Sequence, residues 1–231
     1  MQSKSKFLEW KKNAVPFSKK FKDLYYSSDN GLEEAQYVFL KANNLSSRLR
    51  NGFSIAELGF GTGLNLLATL KLLRKLKLKG KISYTTFEAF PLSPEHMSKA
   101  HRNFPQLLEI SKEFEPLWEE FYKNSNLITS ELELNLIYGD ARSTLPTWNG
   151  VADCWFLDGF APDRNPELWG KALLQSVYER TFDNGTASTY SSAFKVRKNL
   201  MEVGFEIVRL KGFGRKKHMT FAKKIASKKD I

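Results

Sequence analysis

The sequence predicts an α/β fold: a Rossmann-like, seven-stranded, mostly parallel sheet with an antiparallel C-terminal hairpin. Three observations predict it. An apolar run from Phe53 to Leu58 leads into three alternating glycines, Gly59, Gly61 and Gly63. These lead into Leu64–Leu73, where apolar residues recur at helical spacing among good helix formers. Strand, glycine loop and helix in that order form the first half of a βαβ unit that holds a nucleotide-like ligand.

The glycine spacing narrows the ligand. A dinucleotide fingerprint spaces its glycines G-x-G-x-x-G, and Leu64 stands where the third would fall. A phosphate-binding P-loop needs Lys-Ser/Thr after its last glycine, and Leu64-Asn65 is not that. What remains is Glu-x-Gly-x-Gly-x-Gly, with Glu57 on the strand before the turn. A carboxylate there repels pyrophosphate and suits a ligand with a cationic end. S-adenosylmethionine has an ammonium, a sulfonium and no phosphate, and is the expected cofactor. A glycine-rich turn without a ligand is the plain alternative, and the complete strand–loop–helix context argues against it.

Taken in order, residues 1 to about 25 are lysine-rich with interspersed aromatics and read as an arm packed on the domain, lysines outward. Ser27–Gly31 is a turn. Leu32–Leu40 is a helix with acids in its first turn, as the helix dipole prefers, ended by Asn43-Asn44-Leu45. Residues 1–50 thus form an arm and helix packed on a core domain of residues 51–226, with a loose tail at 227–231. The glycine-loop helix ends in Lys71, Arg74, Lys75, Lys77 and Lys79, which read as a solvated, dipole-complementing terminus.

The second strand, Ile82–Glu88, is rich in β-formers. An acid at its end, Glu88, has two oxygens to accept the two ribose hydroxyls of a nucleoside. Residues 91–130 read as a helical connection without chemistry. The third strand, Leu132–Tyr138, closes on Gly139-Asp140, where Asp140 serves either an adenine amino group or the N-cap of the next helix, or both. The fourth strand, Ala152–Leu157, should lie beside the first, so that Asp158-Gly159-Phe160-Ala161-Pro162 falls at a topological switch point. Asn165 and Pro166 then read as N-cap and first residue of a helix. The fifth strand is Gly185–Tyr190, followed by a helix through Leu200. Gly204–Leu210 and His218–Ala222 form the closing hairpin.

Composition bounds the rest. The 231 residues suffice for one α/β domain, and 42% hydrophobic content is that of a folding chain. A formal net charge of +11 favours an acidic partner such as nucleic acid over an anionic membrane. The single cysteine, Cys154, lies in an apolar run and reads as a buried inert thiol. No apolar segment follows the N-terminal lysines and no stretch is long enough to span a bilayer, so a cytoplasmic protein is expected. His96, His101 and His218 show no metal-ligand spacing. His96 and His101, flanked by Lys99 and Arg102, read as a solvated helix face, and no metal is expected.

With these residues in place, the chain resembles the S-adenosylmethionine-dependent tRNA methyltransferases that make 5-methylaminomethyl-(2-thio)uridine at the wobble position. The resemblance covers most of the chain. Its specific strings are Trp155–Pro162 and Lys211-Gly212-Phe213-Gly214-Arg215-Lys216; the loop from Glu57 to Asn65 is generic to the larger fold. Tyr26–Glu34, Phe87–Leu92 and Asn165–Trp169 also match. One departure is Ala89 before Phe90, where relatives often carry a lysine. The resemblance implies a class I methyltransferase fold with Asp158 as catalytic carboxylate. It also implies that Glu57, Gly59, Gly61, Glu88 and Asp140 line the methyl donor, and Phe60, Gly63, Asn65 and Asp158 join that expected set. Phe160 is expected to stack on a flipped-out uracil. Lys195, Arg197, Lys198, Lys211, Arg215, Lys216 and Lys217 are expected to contact tRNA phosphates, against the plain reading of a solvated basic surface. In many bacteria this activity is the N-terminal half of a bifunctional protein with a flavin oxidase half. No FAD is expected in this chain, and a separate oxidase is an expected partner. Two other readings stay open: a methyltransferase for another RNA or a small amine, and a methyltransferase-like RNA-binding protein without catalysis.

Overall fold

The computed structural model describes residues 7–226; the tail read at 227–231 and the first six residues lie outside them. The centre is an eight-stranded sheet built on β4 (Ser54–Leu58), the strand before the glycine loop. β4 is flanked by two parallel neighbours, β5 (Ile82–Glu88) and β8 (Ala152–Leu157). Beyond β5 lie β7 (Leu132–Tyr138) and a short antiparallel edge strand, β6 (Asn126–Ile128). Beyond β8 lie β9 (Thr181–Thr189), then β11 (His218–Lys223) and β10 (Glu206–Lys211), the antiparallel hairpin.

The central strands are apolar on both sides because both faces are covered. On β8, Cys154 and Phe156 enter one core and Ala152, Trp155 and Leu157 the other, as alternation along a strand requires. The first face packs α1 (Gly31–Ala35), α3 (Leu64–Leu76), α4 (Pro94–His101), α5 (Leu108–Phe114) and α6 (Trp118–Asn124); the second packs α7 (Ala141–Thr144), α8 (Lys171–Glu179) and α9 (Phe194–Glu202). The short α2 (Leu45–Arg48) lies between α1 and β4. Cys154 is buried as expected, and burial pushes its thiol up to about 12.

Several expectations are corrected. The connection at 91–130 contains β6 as well as helices, so the sheet has eight strands, not seven. From residue 7 on, the N-terminal arm packs on the domain with its lysines exposed, yet it is a three-stranded antiparallel sheet of β1 (Leu8–Trp10), β2 (Pro16–Ser18) and β3 (Asp23–Leu24). The first helix passes into a π-helical stretch, Gln36–Lys41. β9 begins at Thr181 rather than Gly185, with an irregular register against Ala152–Cys154. Pro166–Trp169 is a separate 3₁₀ turn, and the Asn165 side chain makes no capping bond to it. His101 is no solvated residue: it is 0% exposed, its Nε2 meeting the Thr62 carbonyl at 2.6 Å and its Nδ1 the Ser111 hydroxyl at 2.9 Å. Burial lowers its pKa, and the two contacts suit a neutral ring that donates to the glycine loop.

Candidate active site

Strand register assembles the site. β4 pairs Leu58 with Phe87 on one side and with Leu157 on the other. One residue further along, Gly59, Glu88 and Asp158 therefore stand abreast at the carboxyl ends of three parallel strands. The chain runs from β4 to β5 and β7 on one side and returns to β8 on the other, so this row lies at the topological switch point. Gly59 is required there on two counts: its φ is +85°, and a Cβ would run into the Asp158 carbonyl.

A cavity of about 740 Å³ opens above the row. Glu88 forms part of its wall, and both its oxygens accept backbone N–H groups, Oε2 from Gly61 at 3.0 Å and Oε1 from Phe90 at 2.6 Å. Each oxygen keeps a second lone pair for a hydroxyl. Asp140 also lines the cavity. It caps α7, accepting from Arg142 N at 2.9 Å, and Arg142's guanidinium, bonded to the same carboxylate, lowers its pKa. The N-cap reading of Asp140 therefore holds, and its carboxylate still faces the cavity.

Asp158 sits in the opposite wall. Burial raises its pKa to about 7; a bond from Asn65 and the charge of Lys216 act downward, and Glu34 acts upward. Asn65, the second residue of α3, donates from Nδ2 to Asp158 Oδ2 at 2.7 Å and to Glu57 Oε1 at 2.9 Å. Lys216 reaches in from the loop between β10 and β11, pairs with Glu34 at 2.7 Å and lies 4.1 Å over the Tyr190 ring. Tyr190 donates its hydroxyl to the Gly159 carbonyl at 2.7 Å.

Two residues expected to touch the ligand, Glu57 and Gly63, stand outside the cavity lining. Glu57 is 1% exposed and does not line the cavity; it accepts from Asn65 and, at 3.1 Å, from Thr86 Oγ1. Burial pushes its pKa well above the ordinary 4.5, toward the neutral acid, against the bonds donated by Asn65 and Thr86. Gly63 stands behind the wall as the left-handed residue that starts α3. Phe60 borders the cavity, but its ring is buried against Trp118 and Phe121. Phe160 lines the cavity with one face stacked on Phe21 at 4.7 Å and Tyr25 against its edge.

Of the expected phosphate contacts, only Lys216 lines the cavity; Lys195, Arg197, Lys198, Lys211, Arg215 and Lys217 do not. Lys20, Arg142 and Arg164 do, and the sequence reading passed over them. Lys20 comes from a hairpin tip, and nothing in its local sequence points to the cleft. Among the described residues no cluster of His, Cys, Asp and Glu could hold a metal, and no helix is long and apolar enough to cross a membrane.

The fold and this cavity define an α/β protein with a small-molecule-sized cleft at a switch point. Comparison with known proteins makes the class specific. Residues 105–225 match a family described as S-adenosyl-L-methionine-dependent methyltransferase, and the chain belongs to that family. It is 40% identical over 220 residues to the tRNA 5-methylaminomethyl-2-thiouridine biosynthesis bifunctional protein MnmC of Leptospira interrogans, covering 92% of this chain and 34% of that protein. It is 36% identical over 233 residues to the protein of the same description from Actinobacillus pleuropneumoniae, covering 94% of this chain and 35% of that one. The chain thus spans about a third of the length of these curated relatives. Among solved structures it is similar to MNMC2 from Aquifex aeolicus, with a TM-score of 0.78 and 27% identity over 95% of this chain and 70% of that one.

The cavity fits the family's cofactor. Its volume of about 740 Å³ lies within the ordinary range for small-molecule sites. Glu88 offers paired acceptors for vicinal hydroxyls, and the Asp158 carboxyl group in the wall suits a ligand whose reactive end is cationic.

Proposed function

We propose that this protein methylates the aminomethyl nitrogen of 5-aminomethyl-(2-thio)uridine at the wobble position of tRNA, giving 5-methylaminomethyl-(2-thio)uridine. The observation that carries the reading is the Asp158 carboxyl group, set in the cavity wall abreast of Glu88 and Gly59, with a pKa raised by burial to about 7. The description of the curated relatives, which this chain matches over nine-tenths of its own length, supports the choice of acceptor.

S-adenosylmethionine, when bound, supplies a methyl group on a sulfonium, an electrophile that needs no covalent help from the protein. Glu88 and the Gly59–Gly61 backbone would hold its nucleoside end, with Asp140 beside the base. An aminomethyl group is largely an ammonium in water at neutral pH and has no lone pair to react with. Asp158, ionised in part near pH 7, accepts a proton or hydrogen bond from that nitrogen and orients the lone pair. The rest of the rate comes from placing the amine in a dry site. A wobble base lies in a loop, so little pairing is broken when it enters. Phe160 is the proposed stacking face for the uracil. Lys20, Arg164 and Lys216 at the cavity are the proposed nearest phosphate contacts, ahead of the more distant cations of α9 and the hairpin loop. The amine must be uncovered by an earlier step, for which a separate oxidase is the proposed partner.

The test uses purified protein, labelled S-adenosylmethionine and tRNA carrying 5-aminomethyluridine, with digestion and mass spectrometry to locate the methyl group. Transfer to the aminomethyl nitrogen is expected, with a loss on the order of 10²-fold or more in Asp158→Ala and donor affinity kept. Transfer near the wild-type rate in Asp158→Ala removes Asp158 from the mechanism. Saturable donor binding without transfer sends the search to another acceptor.

A further inference from the structure

We propose that Asn65 is the positioning residue of the catalytic carboxylate: its one amide nitrogen donates to Glu57 Oε1 at 2.9 Å and to Asp158 Oδ2 at 2.7 Å, and so leaves Asp158 Oδ1 for the acceptor amine. The inference rests on the reading of Asp158 given above. It also assigns Asn65 a different task from donating to the cofactor, since both amide hydrogens are already taken.

Each end of this arrangement is fixed. Asn65 is 5% exposed and lies in the first turn of α3, where Thr69 Oγ1 donates to its carbonyl at 2.7 Å. Glu57 is held from behind by Thr86. A primary amide alone fills this place: it donates twice from one atom to two acceptors and adds no charge between them. An acid would crowd three carboxyl groups together, and a hydroxyl has only one hydrogen to give.

The consequence is electrostatic as well as geometric. A bond donated to the ionised form of Asp158 favours that form, so Asn65 opposes the effect of burial. The other groups facing this pair of carboxyls are Glu34 from α1, Tyr84 from β5, Tyr190 from the end of β9 and Lys216 from the hairpin loop. Glu34 and Lys216 are paired with each other and act on Asp158 in opposite directions. Asn65 is the neutral group that ties its position to its ionisation.

The experiment compares wild type with Asn65→Ala, Asn65→Asp and Asp158→Asn. Carbon NMR follows the Asp158 carboxyl of the ligand-free protein against pH, its resonance assigned by its loss in Asp158→Asn; kcat is measured over the same range. In Asn65→Ala the titration is expected to move up by about one pH unit, a roughly tenfold fall in the ionised fraction below the midpoint. In Asn65→Asp it should move further. The acid limb of kcat should move with it, and the rate should recover toward wild type at high pH, with S-adenosylmethionine affinity little changed. A uniform loss of kcat at every pH, with the titration unmoved, would overturn the proposal. Should Asn65→Ala not fold, Asn65→Asp carries the same comparison. A wild-type rate in Asp158→Asn instead defeats the reading of Asp158, and the NMR titration alone then decides the role of Asn65.

Discussion

Glu57 shows what burial does to a residue that looks functional by type. On β4, Ile55 and Glu57 point to the α3 side while Ala56 and Leu58 point to the other. Bonds donated by Asn65 and Thr86 favour the Glu57 carboxylate, and full burial outweighs them and shifts the group toward the neutral acid. The prediction is that Glu57→Gln, which copies the neutral acid in size and acceptor count, keeps S-adenosylmethionine affinity within about twofold and leaves the melting temperature nearly unchanged, since Thr86 can accept from the new amide. Isothermal titration calorimetry and a thermal melt check it. A tenfold or greater loss of donor affinity in Glu57→Gln would mean that the group is ionised and acts as a counter-ion after all. Glu57→Ala should behave differently, because it opens a cavity and leaves Asn65 and Thr86 with unmet donors, at a cost of about 2–4 kcal/mol.

The element that reshapes the site is the hairpin of β2 and β3. Its tip carries Phe21, stacked on Phe160 and edge-on to Phe90, while Lys20 lies 3.9 Å over the Phe90 ring and Asp23 accepts from Ala161 N at 2.9 Å. The tip therefore bridges the loops after β5 and β8 across the cavity mouth. Rings 4.7 Å apart leave no room for a base between them, so a base that stacks on this face of Phe160 must lift Phe21 and then be covered by it. Phe21→Ala is expected to raise the tRNA KM about tenfold, within the range of about 1–3 kcal/mol for one base–aromatic stack, and Phe21→Trp to restore it. A fall in KM on removing the ring would identify Phe21 as a plug instead of a jaw.

This hairpin was also the least legible part of the chain. Leu8–Trp10, Pro16–Ser18 and Asp23–Leu24 are too short to show a period of two, and they exist by pairing with one another. The β4–loop–α3 unit was legible because glycines and an apolar run specify it locally. The neighbourhood of Glu88 and Asp158 followed from strand order alone. The inward turn of His101 left a signal in its spacing: Met97, Ala100 and His101 share one buried helical face. Lysine and arginine positions carried the least information, since a long flexible cation reads the same in sequence whether it faces a cleft or bulk water.

At the scale of the whole molecule, the site is built against folding. The ordinary pKa of an aspartate is 3.8, and burial raises that of Asp158 to about 7. The folded state therefore holds this proton more tightly than the unfolded chain, and stability falls as pH rises from about 4 to about 7, after which the full cost is present. Full conversion of that displacement gives roughly 4 kcal/mol, and contact of the carboxyl with cavity water reduces it to about 1–2 kcal/mol. Asparagine at this position cannot ionise. Thermal melts of ligand-free wild type and Asp158→Asn are thus expected to differ little near pH 4.5. At pH 8 they should differ by about 2–8 °C in favour of the inactive variant, at about 2–4 °C per kcal/mol for a chain of this size. An offset that stays constant across this range would show that Asp158 ionises in the folded protein as it does in water. S-adenosylmethionine, whose affinity is expected to survive loss of the Asp158 carboxyl, should raise the melting temperature of wild type and Asp158→Asn by similar amounts, so the offset between them at pH 8 should persist with the ligand bound.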